Sequence, residues 1–178
     1  MKAFKSVSKI KSTIINEAIS VWNKTKNTNT TAGRTTFAKK LKEIGWKRIG
    51  TSAAYKTCYA KNSIVVKFTL SVNSVEACNE VEREFQQWNL APKKFKKYLP
   101  RSYALIDGLL IQDKVLVVCD CGWDGCADAK EIKKDFHNHL FDWQHNHGRT
   151  LKGTIKFFDW VYNRSWDKVE DPYIDFLK

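Results

Sequence analysis

The hydrophobic pattern of this chain changes its period at Trp46, and this change constrains the fold more than any other feature. Before it, apolar side chains recur at helical spacing over residues 4–24 and again from Phe37 to Ile44. From Trp46 onward, short apolar segments bounded by turn residues predict strands. The elements predicted from this point are strands 46–49, 54–60 and 63–70, helix 74–89, strands 103–106 and 114–119 with residues 109–111 paired between them, helix 127–141, and a hairpin element over 150–158.

The order strands, helix, strands, helix, strands predicts an α+β fold without a regular alternation of strands and helices. We expect a small antiparallel sheet with a docked helix, followed by a reduced helical C-terminal part. Thr36 is expected to cap the second helix, and Gly45 to end it. Residues 27–33 have the composition of a polar linker. The predicted domains are therefore residues 1–33, an extra N-terminal helix and linker attached to the main body outside its core, and residues 34–178.

The chain carries a formal net charge of +12, from 31 Lys and Arg side chains against 19 Asp and Glu. Such an excess attracts polyanions, which include nucleic acid, nucleotides and acidic protein surfaces. An ordinary solvated basic face accounts for the same composition. The lysines that we assign to a polyanionic partner, either an acidic protein or nucleic acid, are Lys39, Lys40, Lys42, Lys93, Lys94, Lys96 and Lys97.

Several features of the sequence bear on location. No apolar stretch approaches the ~20 residues that cross a bilayer, so we expect no membrane partner. The basic N-terminus is not followed by the apolar segment of a secretory signal. The five cysteines are an odd number, which favours reduced thiols. These features predict a cytoplasmic protein.

Two charged residues end apolar segments that are predicted to be strands. Lys67 follows Ile64-Val65-Val66, and Asp159 follows a segment that begins at Ile155. A lysine at the end of a strand can reach a polyphosphate, and an aspartate at the end of a later strand can hold the Mg²⁺ that bridges the phosphates. The pair is the skeleton of ATP-dependent phosphoryl transfer, although strands at a protein surface also often end in a charge.

The segments before and around Lys67 resemble the first three strands of a domain that binds a nucleotide. Residues 49–59, with Gly50 and Ser52, resemble a Gly-rich loop between the first two strands, where small residues let backbone N–H groups approach phosphate oxygens. An ordinary β-turn explains a single glycine equally well. Val65-Val66-Lys67 resembles the third-strand lysine that engages the α and β phosphates.

The stretch from Phe37 to Trp160 resembles the protein-kinase-like fold, in particular the compact, divergent versions carried by some bacteriophages. The resemblance implies that a glutamate on the next helix, Glu84 in preference to Glu80, orients the lysine. It also implies that the strand ending at Asp120 enters the hinge that holds adenine. Asp120 is therefore assigned to the nucleotide site.

The resemblance also implies a catalytic loop over residues 139–149. Asp142 would position the acceptor hydroxyl, and Asn146 and Asp159 would hold metal. Asn146 follows Asp142 by four residues, where the family has five, and the glycine that follows the metal-binding aspartate in the family is absent. A second alignment places Asp135 in the role of Asp142. Only 19 residues remain after Asp159, so the helical lobe that normally holds peptide substrate is nearly missing.

The implied function is that of a kinase, which binds ATP and Mg²⁺ and transfers phosphate to a protein or small-molecule hydroxyl. The alternative is a catalytically inactive kinase-like scaffold, a pseudokinase, that acts as a basic binding protein for nucleic acid or an acidic host protein in phage takeover or counter-defence. The departures from the family pattern favour this alternative, and the net charge would then be the functional feature.

Two metal centres compete with these interpretations. A zinc site would draw on Cys119, Cys121, Cys126, His137 and His139. The Cys-x-Cys spacing is unusual for structural zinc, so free thiols are the simpler interpretation. A metal-dependent nuclease would use the four histidines, which all lie within residues 137–147, together with Asp135 or Asp142.

Overall fold

The computed structural model describes residues 9–49, 56–73, 75–90, 93–115, 117–118, 147–149 and 154–157. In chain order the elements are α1 (Lys9–Asn23), α2 (Thr31–Glu43), β1 (Lys47–Ile49), β2 (Thr57–Lys61), β3 (Ile64–Phe68), α3 (Val75–Leu90), α4 (Lys93–Lys96), β4 (Ser102–Ile106), β5 (Leu109–Asp113), β6 (Val117–Val118), β7 (His147–Arg149) and β8 (Ile155–Phe157). A five-stranded sheet has the order β1-β2-β3-β5-β4, and a three-stranded sheet has the order β6-β7-β8. The predicted α+β class with a small antiparallel sheet is confirmed.

The described residues divide into two compact units. The first comprises the described residues up to Glu82 together with Tyr103–Asp113, and the second comprises Arg83–Ser102 and the described residues from Lys114 onward. The first unit contains α1, α2 and nearly all of the five-stranded sheet, whereas the second contains the three-stranded sheet. The predicted domain boundary after Gly33 stays a prediction.

Strand β3 lies in the middle of the five-stranded sheet, between β2 and β5. Two tight turns, one joining β2 to β3 and one joining β4 to β5, form the hairpins on its two sides. Asn62, with a φ of 51°, turns the chain from β2 into β3. Asp107 and Gly108, with φ values of 47° and 83°, join β4 to β5. Two consecutive residues with positive φ give the two-residue turn whose twist suits a hairpin. This turn brings β5 back along β4, and the other edge of β5 pairs with β3.

Two details of the predicted strand order were wrong. Residues 109–113 pair between β3 and β4, and not between segments 103–106 and 114–119. Within segment 114–119, the structure describes a strand over Val117–Val118, and this strand belongs to the three-stranded sheet. Spacing along the sequence predicts that these segments are extended, but it does not determine which edges they share.

Helix α2 begins earlier than the sequence predicts. Its N-cap is Thr30, whose hydroxyl accepts a hydrogen bond from the backbone N–H of Gly33 over 3.1 Å. The predicted cap, Thr36, lies inside the helix and donates its hydroxyl to the carbonyl oxygen of Ala32. The predicted end is confirmed, since Gly45 has a φ of 89° and donates to the carbonyl oxygen of Lys42.

The hydrophobic core of the first unit joins both N-terminal helices to the sheet. Trp22 of α1, Phe37 of α2 and Phe68 of β3 form a cluster of rings with centroids 4.8 to 6.2 Å apart in edge-to-face arrangements. Ile15 and Ala18 of α1 are buried in the same core. The expectation that the first helix is attached outside the core was therefore wrong, because its apolar face is a major part of that core.

The second unit is built around β6, β7 and β8. Strands β7 and β8 pair antiparallel, which confirms a hairpin in this part of the chain but begins it at His147. Phe157 donates its backbone N–H to the carbonyl oxygen of Tyr98 over 2.8 Å, and Lys156 Nζ donates to the carbonyl oxygen of Leu99 over 2.8 Å. The predicted helix over 127–141 lies outside the described residues. Among the helices that the structure describes, none is long and apolar enough to span a membrane.

Candidate functional site

Lys67 lies in the central strand β3, and its side chain is almost fully buried, with 6 % of its surface exposed. Its neighbours in sequence, Val66 and Phe68, belong to the core that α1 and α2 share with the sheet. Because successive side chains of a strand point to opposite faces, Lys67 lies on the other face of the sheet. The lysine is therefore separated from α1 and α2 by the sheet itself.

Strand register places Lys67 level with the connection between β1 and β2. Lys67 pairs with Cys58 of β2, and Cys58 in turn pairs with Ile49, the last residue of β1. Two strand spacings of about 4.8 Å put Ile49 roughly 10 Å from Lys67 on the same face. The predicted phosphate-binding loop, with Gly50 and Ser52, begins directly after Ile49 and itself lies outside the described residues. The loop therefore starts at the same level of the sheet as Lys67, in the row formed by Ile49, Cys58 and Lys67.

The surface around Lys67 on this face of the sheet consists mostly of small or apolar side chains. Leu110 of β5 is the partner of Lys67 on the side away from Cys58. In the next row, Val65 lies between Ala60 of β2 and Gln112 of β5. An ammonium group beside apolar surface is costly to bury unless it has a partner, and Lys67 does have one. Like Lys67, the neighbours Val65, Ala60, Leu110 and Gln112 are buried, with at most 5 % of their surface exposed.

Glu84 is the second predicted site residue that the structure describes. It lies in α3, and its side chain is buried, with 3 % of its surface exposed. Glu80 is only partly buried and Glu82 is exposed. Both Glu80 and Glu84 have interaction partners. A carboxylate is rarely buried to this extent without a specific partner. The preference for Glu84 over Glu80 as the partner of Lys67 stays a prediction.

The other predicted site residues lie outside the described residues, and their assignments stay predictions. They are Gly50, Ser52, Asp120, Asp142, Asn146 and Asp159. The same is true of the cysteines proposed for zinc and of most of the histidines. Within the part of the chain that the structure describes, no group of three Cys, His, Asp or Glu side chains could hold a metal ion. The zinc and nuclease hypotheses therefore stay untested.

The predicted partner lysines form two separate sets. Lys39 and Lys42 of α2 are exposed, and Lys40 is partly exposed. In the second unit, Lys96 donates to the carbonyl oxygen of Asn89 over 2.9 Å, and its ammonium lies 4.8 Å from the ring centre of Trp88. Lys97 is similarly placed over the ring of Tyr98. Lys93 is exposed, and the side chain of Lys94 lies outside the described set. Each set thus offers two exposed lysines, Lys39 and Lys42 in α2 and Lys93 and Lys97 in the second unit.

A depression at the junction of α1 and α2 includes basic residues that the sequence interpretation missed. Its volume is about 420 Å³, and it is lined by Lys24, Lys26, Asn27, Thr30, Ala32, Gly33, Thr36 and Lys40. Residues 27–33 were predicted to be a linker, whereas they form the turn and first helical residues that bring these lysines together. The sequence signal for the turn is Asn27, a residue type that tolerates the positive φ of 58° found there.

Lys11, Tyr103 and Asp113 form a third polar cluster, at the other end of α1. Tyr103 donates its hydroxyl to Asp113 Oδ1 over 2.8 Å, and Lys11 Nζ donates to both partners. Burial and the hydrogen bond to Asp113 raise the pKa of Tyr103. Burial by itself lowers the pKa of Lys11, but the hydrogen bonds to Asp113 and Tyr103 outweigh it, so the net pKa is raised. These groups satisfy one another and join α1 to β4 and β5.

Comparisons of the whole chain with protein-family models, with curated proteins and with solved structures find no match. The candidate site is therefore interpreted from its own geometry, in which a buried lysine, an apolar strand surface and the departure point of a glycine-containing loop lie on one face of a sheet.

Proposed function

We propose that this chain is a compact, divergent kinase-like protein that binds ATP with Mg²⁺ through the Lys67 face of the five-stranded sheet. The observation that carries the proposal is the register Ile49–Cys58–Lys67, because it sets the start of the glycine-containing loop level with a buried lysine. In phosphoryl-transfer enzymes of this kind, a flexible glycine loop and a strand lysine act together on the same phosphates. The order of the elements, with α3 following the lysine strand, agrees with this assignment.

In the proposed function, each residue has a defined chemical role. Lys67 contacts the α and β phosphates, Glu84 orients Lys67 from α3, and Asp142 positions the acceptor hydroxyl. Asn146 and Asp159 would hold Mg²⁺, which would supply positive charge to offset the negative charge that develops during transfer. Catalysis rests mainly on positioning and electrostatic stabilisation. Asp120 lies at the entry to the adenine site, where backbone groups hold the base.

The decisive experiment is calorimetric titration of ATP with Mg²⁺ into the full chain and into a Lys67 variant. Lys67→Met keeps the apolar stem of the buried side chain and removes its charge, so it is preferable to Lys67→Ala for preserving the fold. We expect micromolar affinity for the wild type and a loss of about tenfold or more in the variant. Lys42→Met, at an exposed position of helix α2, is the matched control and should bind ATP as the wild type does. No binding at millimolar ATP would overturn the proposal.

A second candidate function is a non-catalytic binding protein on the same kinase-like scaffold. The observation that favours it is the exposure of Lys39 and Lys42 on α2. A polyanion held mainly by such lysines dissociates steeply as salt is added, because binding releases condensed counterions. Binding that is retained at high salt would contradict this function.

A further inference from the structure

We propose that the depression between the end of α1 and the start of α2 is a binding site for the phosphodiester backbone of nucleic acid. The inference rests on the second candidate function, to which it gives a specific site and a specific partner. Three ammonium groups line the depression, from Lys24, Lys26 and Lys40, and no carboxylate lines it. The remaining lining groups include the hydroxyls of Thr30 and Thr36.

The charge around the depression is concentrated locally. Residues 24–48 contain eight basic side chains and a single acidic one, Glu43. One of the basic groups, Arg34, is buried and donates to the carbonyl oxygens of Thr28 and Thr69, so it supports the turn and does not face a ligand. Lys24 and Lys26 are exposed. The positive potential of this surface is therefore available to a polyanion that reaches the depression.

The chemistry of the lining favours phosphate over an acidic protein. A protein partner normally needs an apolar centre to its interface, and the only apolar side chain in the lining is Ala32. Ammonium groups, in contrast, are usual contacts to phosphate. The lysines are the donors available here, because the hydroxyls of Thr30 and Thr36 already donate to backbone carbonyl oxygens. The lining contains no aromatic side chain on which a base could stack. Recognition here would therefore depend on the backbone and not on base sequence.

The turn that carries these residues has a fixed geometry. Asn27 has a φ of 58°, and its carbonyl oxygen accepts the backbone N–H and the hydroxyl of Thr30. A Cβ on Gly33 would lie only 1.9 Å from that same carbonyl oxygen, so the turn packs against the first turn of α2 with no space between them. The lysines are thus presented from a rigid support, which lowers the entropic cost of binding.

The proposed nucleic-acid site and the proposed ATP site are independent of each other. The lining residues belong to α2 and to the turn that precedes it, and α1 and α2 pack on one face of the five-stranded sheet. Lys67 lies on the opposite face, as strand alternation requires. ATP and a nucleic acid should therefore not compete, and variants of one site should leave the other unaffected.

The test uses fluorescence polarisation with the full chain and two labelled probes, a single-stranded oligonucleotide and a duplex, over a range of salt concentrations. The variant carries Lys24→Gln, Lys26→Gln and Lys40→Gln. We expect a loss of affinity of about tenfold or more at low salt. The slope of log affinity against log salt should become shallower by about two for the single strand and by nearly three for the duplex, since each lost contact contributes about 0.7 or 0.9. A preference for either probe would identify the form of nucleic acid that is bound.

A control variant with the same change in net charge separates the site from the overall charge. It carries Lys9→Gln, Lys47→Gln and Arg48→Gln, all at exposed positions of the first unit that do not line the depression. Unaltered binding in this control supports the proposal, whereas an equal loss overturns it. Equally tight binding of a polyglutamate peptide of matched charge would also overturn it, in favour of an acidic protein partner.

Two further measurements distinguish loss of the nucleic-acid site from misfolding of the triple variant and from failure of the proposed ATP site. The double variant Lys24→Gln and Lys26→Gln leaves α2 unchanged and should still lose most of the affinity, because both side chains extend from the turn. Lys67→Met should bind the oligonucleotide as tightly as the wild type, even if no ATP binding is found in either protein. A loss of oligonucleotide binding in a folded Lys67→Met variant would overturn the placement of the site.

Discussion

Val66 and Lys67 are neighbours in β3 but lie on opposite faces of the five-stranded sheet. Val66 is buried in the core formed with α1 and α2, whereas Lys67 lies in a row with Cys58 and Leu110 on the other face. The N-terminal helices therefore stabilise the sheet without covering the predicted phosphate-binding lysine. This relationship allows one small unit to hold a hydrophobic core on one face and a candidate nucleotide site on the other.

The first prediction concerns the proposed catalytic step. Asp142→Asn should abolish phosphate transfer while leaving ATP affinity within about twofold, because the carboxylate positions the acceptor and does not contact ATP. Release or transfer of the labelled γ-phosphate of ATP measures the first effect, and calorimetry measures the second. The corresponding change Asp135→Asn is the matched control, since it tests the second alignment. Unaltered turnover in Asp142→Asn together with loss in Asp135→Asn would transfer the role to Asp135.

The second prediction concerns the contribution of α1 to the core. Trp22→Ala should lower the free energy of unfolding by about 3–5 kcal/mol, because it removes a buried ring that packs against Phe37 and Phe68. Ile10→Ala lies on the same helix with 69 % of its side chain exposed, and should cost less than about 0.5 kcal/mol. Urea denaturation of both variants provides the comparison. Similar small losses would mean that the helix is attached outside the core after all.

The third prediction concerns the turn before α2. Gly33→Ala should destabilise the protein strongly, by more than about 2 kcal/mol, because the added Cβ would overlap the carbonyl oxygen of Asn27. Gly45→Ala is the control, because at this position an added Cβ meets no steric overlap and is opposed by backbone conformation. Nothing lies within 4 Å of its added Cβ, and only its positive φ opposes the change, so a cost of about 1 kcal/mol is expected.

Thermal or urea unfolding of the two glycine variants ranks them. Gly45→Ala should be the milder change, and a Gly45→Asn variant should recover part of the loss, because asparagine tolerates positive φ. If Gly33→Ala unfolded at the same denaturant concentration as the wild type, the turn would have to relax easily. This result would contradict the proposal that a rigid turn holds the lysines around the depression.

The fourth prediction concerns stability at alkaline pH. Tyr103 and Lys11 both have pKa values raised above the usual 10.0 and 10.5. A raised pKa in the folded state means that the folded protein holds its proton more tightly than the unfolded chain does. The contribution of each group is therefore fully present below about pH 10, and it is lost as the pH rises through the folded-state value. Urea denaturation at a series of alkaline pH values measures this decline.

Variants of the same cluster separate the two groups. Tyr103→Phe should be less stable than the wild type at neutral pH, because Asp113 and Lys11 each lose a hydrogen-bond partner. The alkaline decline should also be shallower in this variant. Ultraviolet absorbance of the phenolate should show one tyrosine that ionises later in the wild type than in unfolded chain, and a decline as steep in Tyr103→Phe as in the wild type would contradict the assignment.

Much of the local structure follows from sequence alone. The strand period over residues 63–70 predicts β3, and the helical period over 74–89 predicts α3, within one to three residues of their observed limits. Gly45 ends α2 as expected because only a residue without a Cβ takes a φ of 89° easily. Such features depend on a few consecutive residues, so a single sequence is enough to identify them.

The start of α2 shows where this local approach fails. Thr30 and Thr36 are equally good N-cap residues in sequence, and the segment between them is polar enough to suggest a linker. Burial of Arg34, with its hydrogen bond to the carbonyl oxygen of Thr69 in a distant segment, favours a helix that begins at Thr31. The choice between the two caps depends on contacts that the sequence does not display.

The candidate sites also have features that the sequence determines and features that only the tertiary structure decides. Sequence by itself determined that Lys67 lies in an apolar strand and that basic residues greatly outnumber acidic ones before residue 50, because both follow from residue type and period. Tertiary structure decided that Trp22 enters the core, that Lys67 shares a row with Cys58 and Ile49, and that Lys24, Lys26 and Lys40 surround one depression. The physical reason is that a periodic pattern shows which side of an element is apolar, but the pairing of distant strands and helices decides what each side meets.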